Sequence, residues 1–405
     1  MQVIYERCAG IDVQKKTVVV CVLITQANGV VEKQIRTFAT MTADLLALDE
    51  WLRGQQVEYV AMESTGVYWY PVWKILEEGR QIVLANPQHL KAVPGRKTDV
   101  KDAEWLADPH RHGLLKASFV PPQPVRVLRE LTRSRKTLVQ ERAQEVNRLQ
   151  KVLEGANIKL AAVATDVLGK SGREMIEALV GGAQDADALA ELARGRLRAK
   201  LPDLRKALDG RVQPHHQFLL TRILAHVAFL EESIAQVQQE IEQHLAPFEE
   251  AVTLAQSVVG IGAVAAAAIV AEIGPDMSRF PSDKHLASWA GVSPGNKQSG
   301  ATTSGNPYLR GMLAEVAWVI AHTKDNYLSA FYHRIARRRG KQKAIMALSH
   351  KVLVILYHVL RDKKPYADLG ADFFDKLDTT RIPRHHIHRL ELLGFAVTIT
   401  PKEAA

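Results

Sequence analysis

Four acidic residues near the N-terminus have side chains of the type that binds hard metal ions. Asp12 lies in Ala-Gly-Ile-Asp-Val just before an apolar strand, and Glu63 closes the predicted strand that begins at Tyr59. Asp99 and Asp102 stand three residues apart where the sequence predicts the start of a helix, so they would share one helical face. Together these carboxylates would form a cage of oxygen ligands.

Converging carboxylates repel one another, and such a cluster persists only when cations neutralise it, for which Mg²⁺ is well suited. Two such ions held about 3.5 to 4 Å apart would stabilise the attacking and leaving oxygens of a phosphoryl transfer. Lys97 and Lys101 place positive charge beside Asp99 and Asp102, as expected where a phosphate backbone approaches acidic ligands. The alternative is that these are four of 44 acidic residues, two of them ordinary helix-start aspartates favoured by the helix dipole.

Two glycine-rich segments near the C-terminal end could also do chemistry. Gly260-Ile261-Gly262 precedes an alanine-rich helix and fits a dinucleotide fingerprint only superficially, because no βαβ context follows. We interpret it as a helix-hairpin-helix turn whose amides would face a phosphate, with a plain helix connection as the alternative. The segment 288–310 contains several serines in a predicted loop. These serines are either turn residues, or one of them is a nucleophile. No Gly-x-Ser-x-Gly elbow is present, which disfavours a hydrolase.

The elements that must position these residues fall into four predicted domains. Strand and helix signals alternate over 1–118, which predicts an α/β domain. Its strands are predicted over 18–23, 30–38, 57–62 and 82–84. Prolines follow, and 119–250 is predicted to be helical. A largely helical C-terminal domain is predicted over 251–370, with a tail over 371–405.

A regular apolar seam runs through the second half of the helical region. Its members alternate in spacing between three and four residues, which is typical of a coiled coil: Leu220, Ile223, Val227, Leu230, Ile234, Val237 and Ile241. Two antiparallel helices of one chain could bury this seam, or two copies of the chain could do so. In either case the seam has a structural role and takes no part in a reaction.

Composition narrows the class of protein. The chain of 405 residues has a formal net charge of +9, and 277–364 holds 15 lysines and arginines against four acids, so the excess is concentrated there. Five of these cations lie close together in the sequence, and we call them the basic cluster: Arg337, Arg338, Arg339, Lys341 and Lys343. Their charge favours a polyanionic partner. Two cysteines exclude a disulfide framework. No export signal is visible, and the uncharged stretch 251–271 is too rich in alanine and polar residues for a membrane span. We therefore expect a cytoplasmic protein without a membrane partner, which would be nucleoid-associated when it acts on a polyanion.

The sequence resembles the transposases of insertion-sequence family one-ten. At the N-terminal end the resemblance is carried by Gly10-Ile11-Asp12, Glu63-Ser64-Thr65-Gly66, Asn86-Pro87 and Lys97-Thr98-Asp99-Val100-Lys101-Asp102-Ala103. At the C-terminal end it is carried by Gly260-Ile261-Gly262, Trp289-Ala290-Gly291-Val292-Ser293-Pro294, Gln298-Ser299-Gly300 and Gly305-Asn306-Pro307-Tyr308-Leu309-Arg310. These segments cover both ends of the chain in the order found in the family.

The resemblance implies an RNase H-like domain of the RuvC type, a coiled-coil linker and a C-terminal domain with a nucleophilic serine. It implies that Asp12, Glu63, Asp99 and Asp102 bind Mg²⁺ and that Ser299 forms a covalent phosphoserine link to DNA. It further implies a site completed across protomers of a dimer or tetramer. A noncoding bridge RNA would pair with donor and target DNA, so that the protein reads RNA shape while base pairing reads sequence. The nucleic-acid contacts would include Gly260, Gly262 and Arg310 with the basic cluster.

One departure from the family pattern concerns the serine. The family has a longer, more basic loop between Pro294 and Gly305, whereas here Ser299-Gly300 runs almost directly into Ala301-Thr302-Thr303-Ser304. Ser304 is therefore the second candidate for the nucleophile. Two other functions remain as alternatives: a metal-dependent junction resolvase or nuclease that acts without the serine, and a nucleic-acid-binding relative without activity.

Overall fold

The computed structural model describes residues 2–63, 66–85, 102–293, 305–377, 387 and 390–397, without the side chains of 375 and 377. The chain divides into two compact units, 1–120 and 121–405. The first unit is a mixed α/β structure and the second is helical in its described residues. The further division of the second unit at 250 and 370 stays a prediction.

The first unit is built on a five-stranded sheet. Its strands are β1 (Arg7–Val13), β2 (Thr17–Thr25), β3 (Val31–Ala39), β4 (Tyr59–Glu63) and β5 (Gln81–Ala85). Their spatial order is β3-β2-β1-β4-β5, with β1, β2 and β3 antiparallel in succession and β4 parallel to both β1 and β5. The sequence predicted β2 to β5, but it missed β1.

Helices cover both faces of the sheet. These are α1 (Thr42–Gly54), α2 (Trp69–Leu76) and α3 (Asp102–Arg111). The larger core lies under α1 and α2, where Leu48 and Val72 pack against Ile11 and Met62. On the other face, Ala107 of α3 packs in a smaller cluster with the β-strand thiols. Because strand side chains alternate between faces, residues of β1 with even numbers point toward α3.

The second unit begins with a long helix and contains thirteen α-helices in its described residues. Those up to the middle of the unit are α4 (Gln123–Gly155), α5 (Leu160–Val163), α6 (Lys170–Val180), α7 (Ala186–Glu191), α8 (Leu201–Leu208) and α9 (Pro214–His244). The remainder are α10 (Glu249–Gln256), α11 (Ala263–Ile273), α12 (Asp283–Ala290), α13 (Pro307–His322), α14 (Tyr327–Arg339), α15 (Lys341–Asp362) and α16 (Phe373–Leu377).

The apolar seam of α9 packs within the chain. Arg142 of α4 donates to Glu231 of α9 at 2.7 Å, and Glu145 lies 3.4 Å from His226. Residue numbers rise along α4 as they fall along α9, so the two helices are antiparallel. Four seam residues are buried: Leu220, Val227, Leu230 and Ile241. Of the two arrangements that the spacing allowed, the described residues therefore show the intramolecular helix pair.

The region between these two helices forms a small helical cap on their end. Leu160, Met175 and Leu204 are buried in one cluster with Leu153 and Leu220. The uncharged stretch 251–271 is largely buried in α10 and α11, as its composition predicted. One described helix, α15, is long and apolar enough to cross a membrane by length and composition alone, and half of its apolar stretch is buried against the protein.

Candidate functional site

Asp12 and Glu63 occupy equivalent positions on neighbouring parallel strands. Ile11 of β1 is the partner of Met62 of β4. Asp12 directly follows Ile11, and Glu63 directly follows Met62. Both side chains are half-buried. Adjacent strands lie about 4.8 Å apart, so the register alone brings the two carboxylates side by side. The sequence placed Asp12 just before the strand that is β2 in the structure, but it missed that Asp12 also lies near the end of β1.

Helix α3 lies on the same face of the sheet as these two acids. A Cβ atom built on Gly10 would lie 2.1 Å from the carbonyl oxygen of Ala103, so the helix backbone rests directly on the strand at this glycine. Cys8 Sγ donates to the carbonyl oxygen of Ala107 at 3.7 Å. The helix therefore runs antiparallel to β1, and its Asp102 end lies toward the strand end that carries Asp12.

The immediate contacts of Asp12 are polar. Gln14 Nε2 donates to Asp12 Oδ2 at 3.1 Å, and Thr17 Oγ1 donates to Gln14 Oε1 at 3.4 Å. Another acid of α3, Glu104, forms an ion pair with Lys33 at 2.9 Å, so its charge is neutralised by the sheet itself. Asp12 and Glu63 thus lie side by side near the end of β1, and the Asp102 end of α3 lies toward them.

Two buried thiols lie beneath α3. Cys8 and Cys21 are both free and fully buried on the same face of the sheet. Burial raises the pKa of each thiol to about 12, because the charged thiolate would lose its hydration. Both cysteines therefore remain neutral packing residues at physiological pH.

The acid set is incomplete in the part of the chain that the structure describes. Among those residues, no three histidine, cysteine or acidic side chains form a group that could hold a metal ion. Several predicted site residues lie outside the described residues, namely Lys97, Asp99, Lys101, Ser299 and Ser304. The oxygen donors that are described are of the kind that Mg²⁺ prefers.

The turn containing Gly260 and Gly262 joins α10 to α11. Gly260 has φ +84°, and a Cβ there would lie 2.5 Å from Ile320 Cγ1, so both its backbone conformation and its packing require glycine. Gly262 is the N-cap of α11, and a Cβ atom there would meet nothing within 4 Å. The first turn of α11 is exposed at Ala263 and Val264. Free amides at a helix N-terminus can bind a phosphate.

The described residues on either side of the serine segment meet in a stem. A Cβ atom on Gly305 would lie 2.3 Å from the backbone nitrogen of Gly291, which shows direct backbone contact. The backbone N–H of Asn306 donates to the carbonyl oxygen of Trp289 at 3.3 Å. We call residues 289–293 with 305–309 the loop stem. The predicted contact residue Arg310 follows it, half-buried on α13.

The basic cluster lies at the junction of α14 and α15. It consists of Arg337, Arg338, Arg339, Lys341 and Lys343, all of which are exposed. No acidic side chain among the described residues lies within ion-pair distance of these five cations. Gly340, with φ +83°, separates the two helices. The cluster is therefore an unneutralised cationic surface of the kind that phosphate backbones bind.

Sequence reasoning missed a buried carboxylate next to the loop stem. Glu272 is only 3% exposed, and it accepts hydrogen bonds from Arg133 of α4 and from Asn306 of the stem. A signal was present in the sequence, because Glu272 is the sole charged residue of the apolar helix α11. A charged residue in such a helix is almost never buried unless it is paired.

Two family models match this chain. Residues 9–158 match the model DEDD_Tnp_IS110, described as a transposase, and residues 252–333 match the model of the transposase IS116/IS110/IS902 family. The first range contains Asp12, Glu63, Asp99 and Asp102, and the second contains the whole loop stem and the serines within it. The matched ranges are thus the two parts of the chain in which the candidate chemistry lies.

Individual relatives agree with these models. An insertion element IS116 protein of Streptomyces clavuligerus is 26% identical over 70% of this chain and 79% of its own length. The transposase for insertion sequence element IS1328 of Yersinia enterocolitica is 26% identical over 64% of this chain and 70% of its own. A pilin gene-inverting protein of Moraxella bovis is 30% identical over 33% of this chain and 45% of its own. The chain therefore belongs to the IS110 family of transposases and is a DNA transposase or recombinase.

Proposed function

We propose that the chain recombines the DNA of an insertion sequence with a Mg²⁺-binding acid quartet and a serine nucleophile. The quartet consists of Asp12, Glu63, Asp99 and Asp102, and Ser299 is the nucleophile. The observation that carries the proposal is the register of β1 and β4, which sets Asp12 beside Glu63. Because α3 lies on the same face, Asp102 can join them. An RNase H-like fold of the RuvC type is consistent with the mixed sheet order β3-β2-β1-β4-β5.

The fourth acid is within reach of the other three by covalent connection. Asp99 precedes Asp102 by three residues, so its Cα lies no more than about 11 Å from that of Asp102. Four carboxylates would supply the oxygens that Mg²⁺ prefers and would need the metal to relieve their repulsion. When bound, Mg²⁺ stabilises negative charge on the oxygens of a scissile phosphate.

The serine would make the covalent step. The Oγ atom of Ser299 attacks the phosphorus of a DNA phosphodiester, and the bond from phosphorus to one deoxyribose oxygen breaks. The serine proton is lost to a base or to solvent, and the departing oxygen is protonated to a hydroxyl. The phosphoserine diester conserves the bond energy, so a hydroxyl of another strand can reverse the step and complete the exchange. Ser304 is the second candidate for this role.

Nucleic acid would contact both the turn and the basic cluster. We propose that the turn at Gly260 and Gly262 is a helix-hairpin-helix element whose exposed amides bind phosphate, assisted by Arg310. Lys97 and Lys101 would approach the phosphates beside the acids. The basic cluster would hold a noncoding bridge RNA, whose base pairing selects donor and target DNA. The active assembly would be a dimer or tetramer, in which one copy supplies the acids and another the serine.

A covalent-adduct assay tests the serine. Purified protein with its RNA is incubated with labelled donor DNA and Mg²⁺, and the products are separated under denaturing conditions. The expected result is a protein-linked DNA band that Ser299→Ala abolishes and Ser304→Ala retains. The reverse pattern would move the nucleophile to Ser304. Cleaved ends without attached protein, insensitive to both substitutions, would identify a nuclease, and binding without any product would identify an inactive relative.

Mixing of variants tests the shared site. Neither Asp12→Asn nor Ser299→Ala alone should give strand exchange. An equimolar mixture of the two should recover exchange, because some assemblies then combine intact acids from one copy with an intact serine from another. No recovery in mixed assemblies of confirmed composition would contradict a site formed between copies.

A further inference from the structure

Glu272 is a buried carboxylate that joins the long helix α4 to the loop stem. Its two oxygens accept a bidentate pair of hydrogen bonds from Arg133, from Nε at 2.7 Å and from Nη2 at 2.8 Å. Asn306 Nδ2 also donates to Glu272 Oε2, at 2.6 Å. A bidentate pair fixes orientation as well as distance. The carboxylate thus links three elements: α11, which carries it, α4, and the stem.

Asn306 has two simultaneous roles at this point. Its side-chain oxygen accepts from the backbone N–H groups of Tyr308 and Leu309 at 3.0 and 3.1 Å, which makes it the N-cap of α13. Its side-chain nitrogen is then oriented toward Glu272. The start of α13 and the C-terminal side of the loop are consequently held by a single side chain.

The helix α4 holds Glu272 from a second position. Arg129 Nη2 donates to the Glu272 carbonyl oxygen at 2.5 Å, and Arg129 Nε donates to that of Ala271 at 3.0 Å. The Arg133 guanidinium also stacks over the ring of Tyr308 at 4.3 Å. The guanidinium groups of Arg129 and Arg133 therefore contact α11, and that of Arg133 also contacts the first turn of α13. These contacts oppose movement of the stem relative to α4.

A second carboxylate in the same unit provides a comparison. Glu231 accepts hydrogen bonds from Arg142 at 2.7 Å and from Arg173 at 2.8 Å, so it too is held by two guanidinium groups. It lies between helices α4, α6 and α9 with its side chain 34% exposed, and its described hydrogen bonds come from α4 and α6 and not from the loop stem. Glu231 thus serves scaffold packing alone, whereas Glu272 adds the hydrogen bond to the stem.

We infer that Glu272, Arg133 and Asn306 are positioning residues that set where the serine loop leaves the protein and hence where its nucleophile stands. This inference rests on the proposed serine chemistry. Both sides of the loop converge on the stem, and Asn306 is the stem residue that Glu272 binds. A displacement of about 1 Å in a reacting group can cost about a hundredfold in rate. Loss of the Glu272 contact therefore reduces reaction rate more than DNA binding.

The first test compares Glu272→Gln with Glu231→Gln. At saturating DNA, Glu272→Gln should lower the rate of covalent-adduct formation by about 10- to 100-fold, with DNA affinity within about threefold of wild type. Glu231→Gln breaks a more exposed ion pair, so it should lower the melting temperature by less and leave the rate within about threefold. Equal rate losses in the two variants would overturn the inference, and so would a wild-type rate in Glu272→Gln. If Glu272→Gln does not fold, Arg133→Lys, which keeps the charge but not the bidentate geometry, replaces it.

The second test exchanges the polarity of one hydrogen bond. Asn306→Asp keeps the N-cap oxygen but sets a carboxylate against Glu272, and the rate should fall. In the double variant Glu272→Gln with Asn306→Asp, the side chain at 272 can donate and the side chain at 306 can accept. The hydrogen bond is thus restored with its direction reversed. It should react at least about tenfold faster than Asn306→Asp alone, which a general loss of stability would not produce. A double variant no faster than Asn306→Asp would overturn the inference.

Hydrogen exchange separates this inference from the serine chemistry. In the full-length protein, Glu272→Gln should accelerate amide exchange over 289–293 and 305–312, whereas Glu231→Gln should not. Unchanged exchange in Glu272→Gln would overturn the inference whatever the DNA assay shows. Faster exchange together with a wild-type protein that forms no serine adduct would overturn the proposed chemistry but leave the stem contact intact.

Discussion

Gly10 and Ala103 are in backbone contact across the face of the sheet that carries the acids. A Cβ atom on Gly10 would lie 2.1 Å from the Ala103 carbonyl oxygen and 2.4 Å from the Ala107 nitrogen. Both obstacles are backbone atoms, which cannot rotate away as a side chain can. This contact sets the height of α3 above β1, and with it the position of Asp102 relative to Asp12.

Gly10→Ala should therefore displace α3 and impair the site. We expect a loss of about 1–3 kcal/mol in unfolding free energy from overpacking, and a fall in metal-dependent DNA cleavage. The measurement is thermal unfolding together with the cleavage assay. Gly54→Ala is the control, since a Cβ atom there meets nothing within 4 Å, and it should leave both properties near wild type. A Gly10→Ala protein with normal stability and cleavage would contradict the role given to the contact.

Asp12→Asn and Glu63→Gln should each abolish cleavage without preventing DNA binding. Each change keeps the size of the side chain and removes the charge that a metal ligand needs, so we expect at least about a hundredfold loss of rate. DNA affinity measured without divalent metal should stay within about threefold. The matched control is Glu58→Gln, because Glu58 is an exposed acid that directly precedes β4, the strand of Glu63. Activity retained in either site variant would remove that residue from the metal site.

Replacement of Arg337, Arg338 and Arg339 by Gln should weaken nucleic-acid binding and reduce its salt dependence. Each phosphate contact contributes about 0.9 to the slope of log affinity against log salt on duplex DNA, so the slope should fall by up to about 2.7. Affinity is measured between low and physiological salt.

A second triple variant controls for net charge. Arg194, Arg198 and Arg205 are each paired with an acid, at 2.9, 3.4 and 2.7 Å. Their replacement by Gln removes the same charge but should leave the slope nearly unchanged. Equal slopes for the two triple variants would mean that net charge, and not the basic cluster, governs binding.

His110 should make the protein less stable as the pH falls below neutrality. Burial lowers the pKa of His110 to about 4 from its ordinary value of 6.5, so the unfolded chain binds a proton at a higher pH than the folded one does. Stability is unaffected above about pH 6.5 and declines between about pH 6.5 and 4, by up to about 3 kcal/mol. Thermal unfolding of the full chain at pH 7.5 and 5 measures the decline.

Substitutions distinguish His110 from other titrating groups. His110→Leu should reduce the loss of stability between the two pH values, because no imidazole is then buried in α3. His333→Leu, at an exposed position of α14, should keep the wild-type difference. A His110→Leu protein with the full wild-type pH dependence would show that other groups cause the decline.

The sequence by itself determined most elements of the first unit and which residue types are available for chemistry. Short runs rich in apolar and β-branched residues predicted strands β2 to β5, because such side chains favour buried strands. The spacing of Leu220, Val227 and Ile241 predicted a helix with one apolar stripe. The proposed acid quartet, the serine segment and the basic cluster can all be found from the types and order of the residues. The family resemblance could be found in the same way, and the family models confirmed it.

Only the tertiary structure decided which residues meet. Strand β1 was missed because Gly10 and Asp12 interrupt its apolar pattern. In the structure Gly10 accommodates α3, and Asp12 lies beside Glu63. The seam of α9 could pair with either another copy or its own chain, and Arg142 with Glu231 shows the second. Glu272 and Asn306 lie 34 residues apart. A sequence pattern reports the periodicity of one element, whereas register, close approach and ion pairing depend on distances between elements that only folding sets.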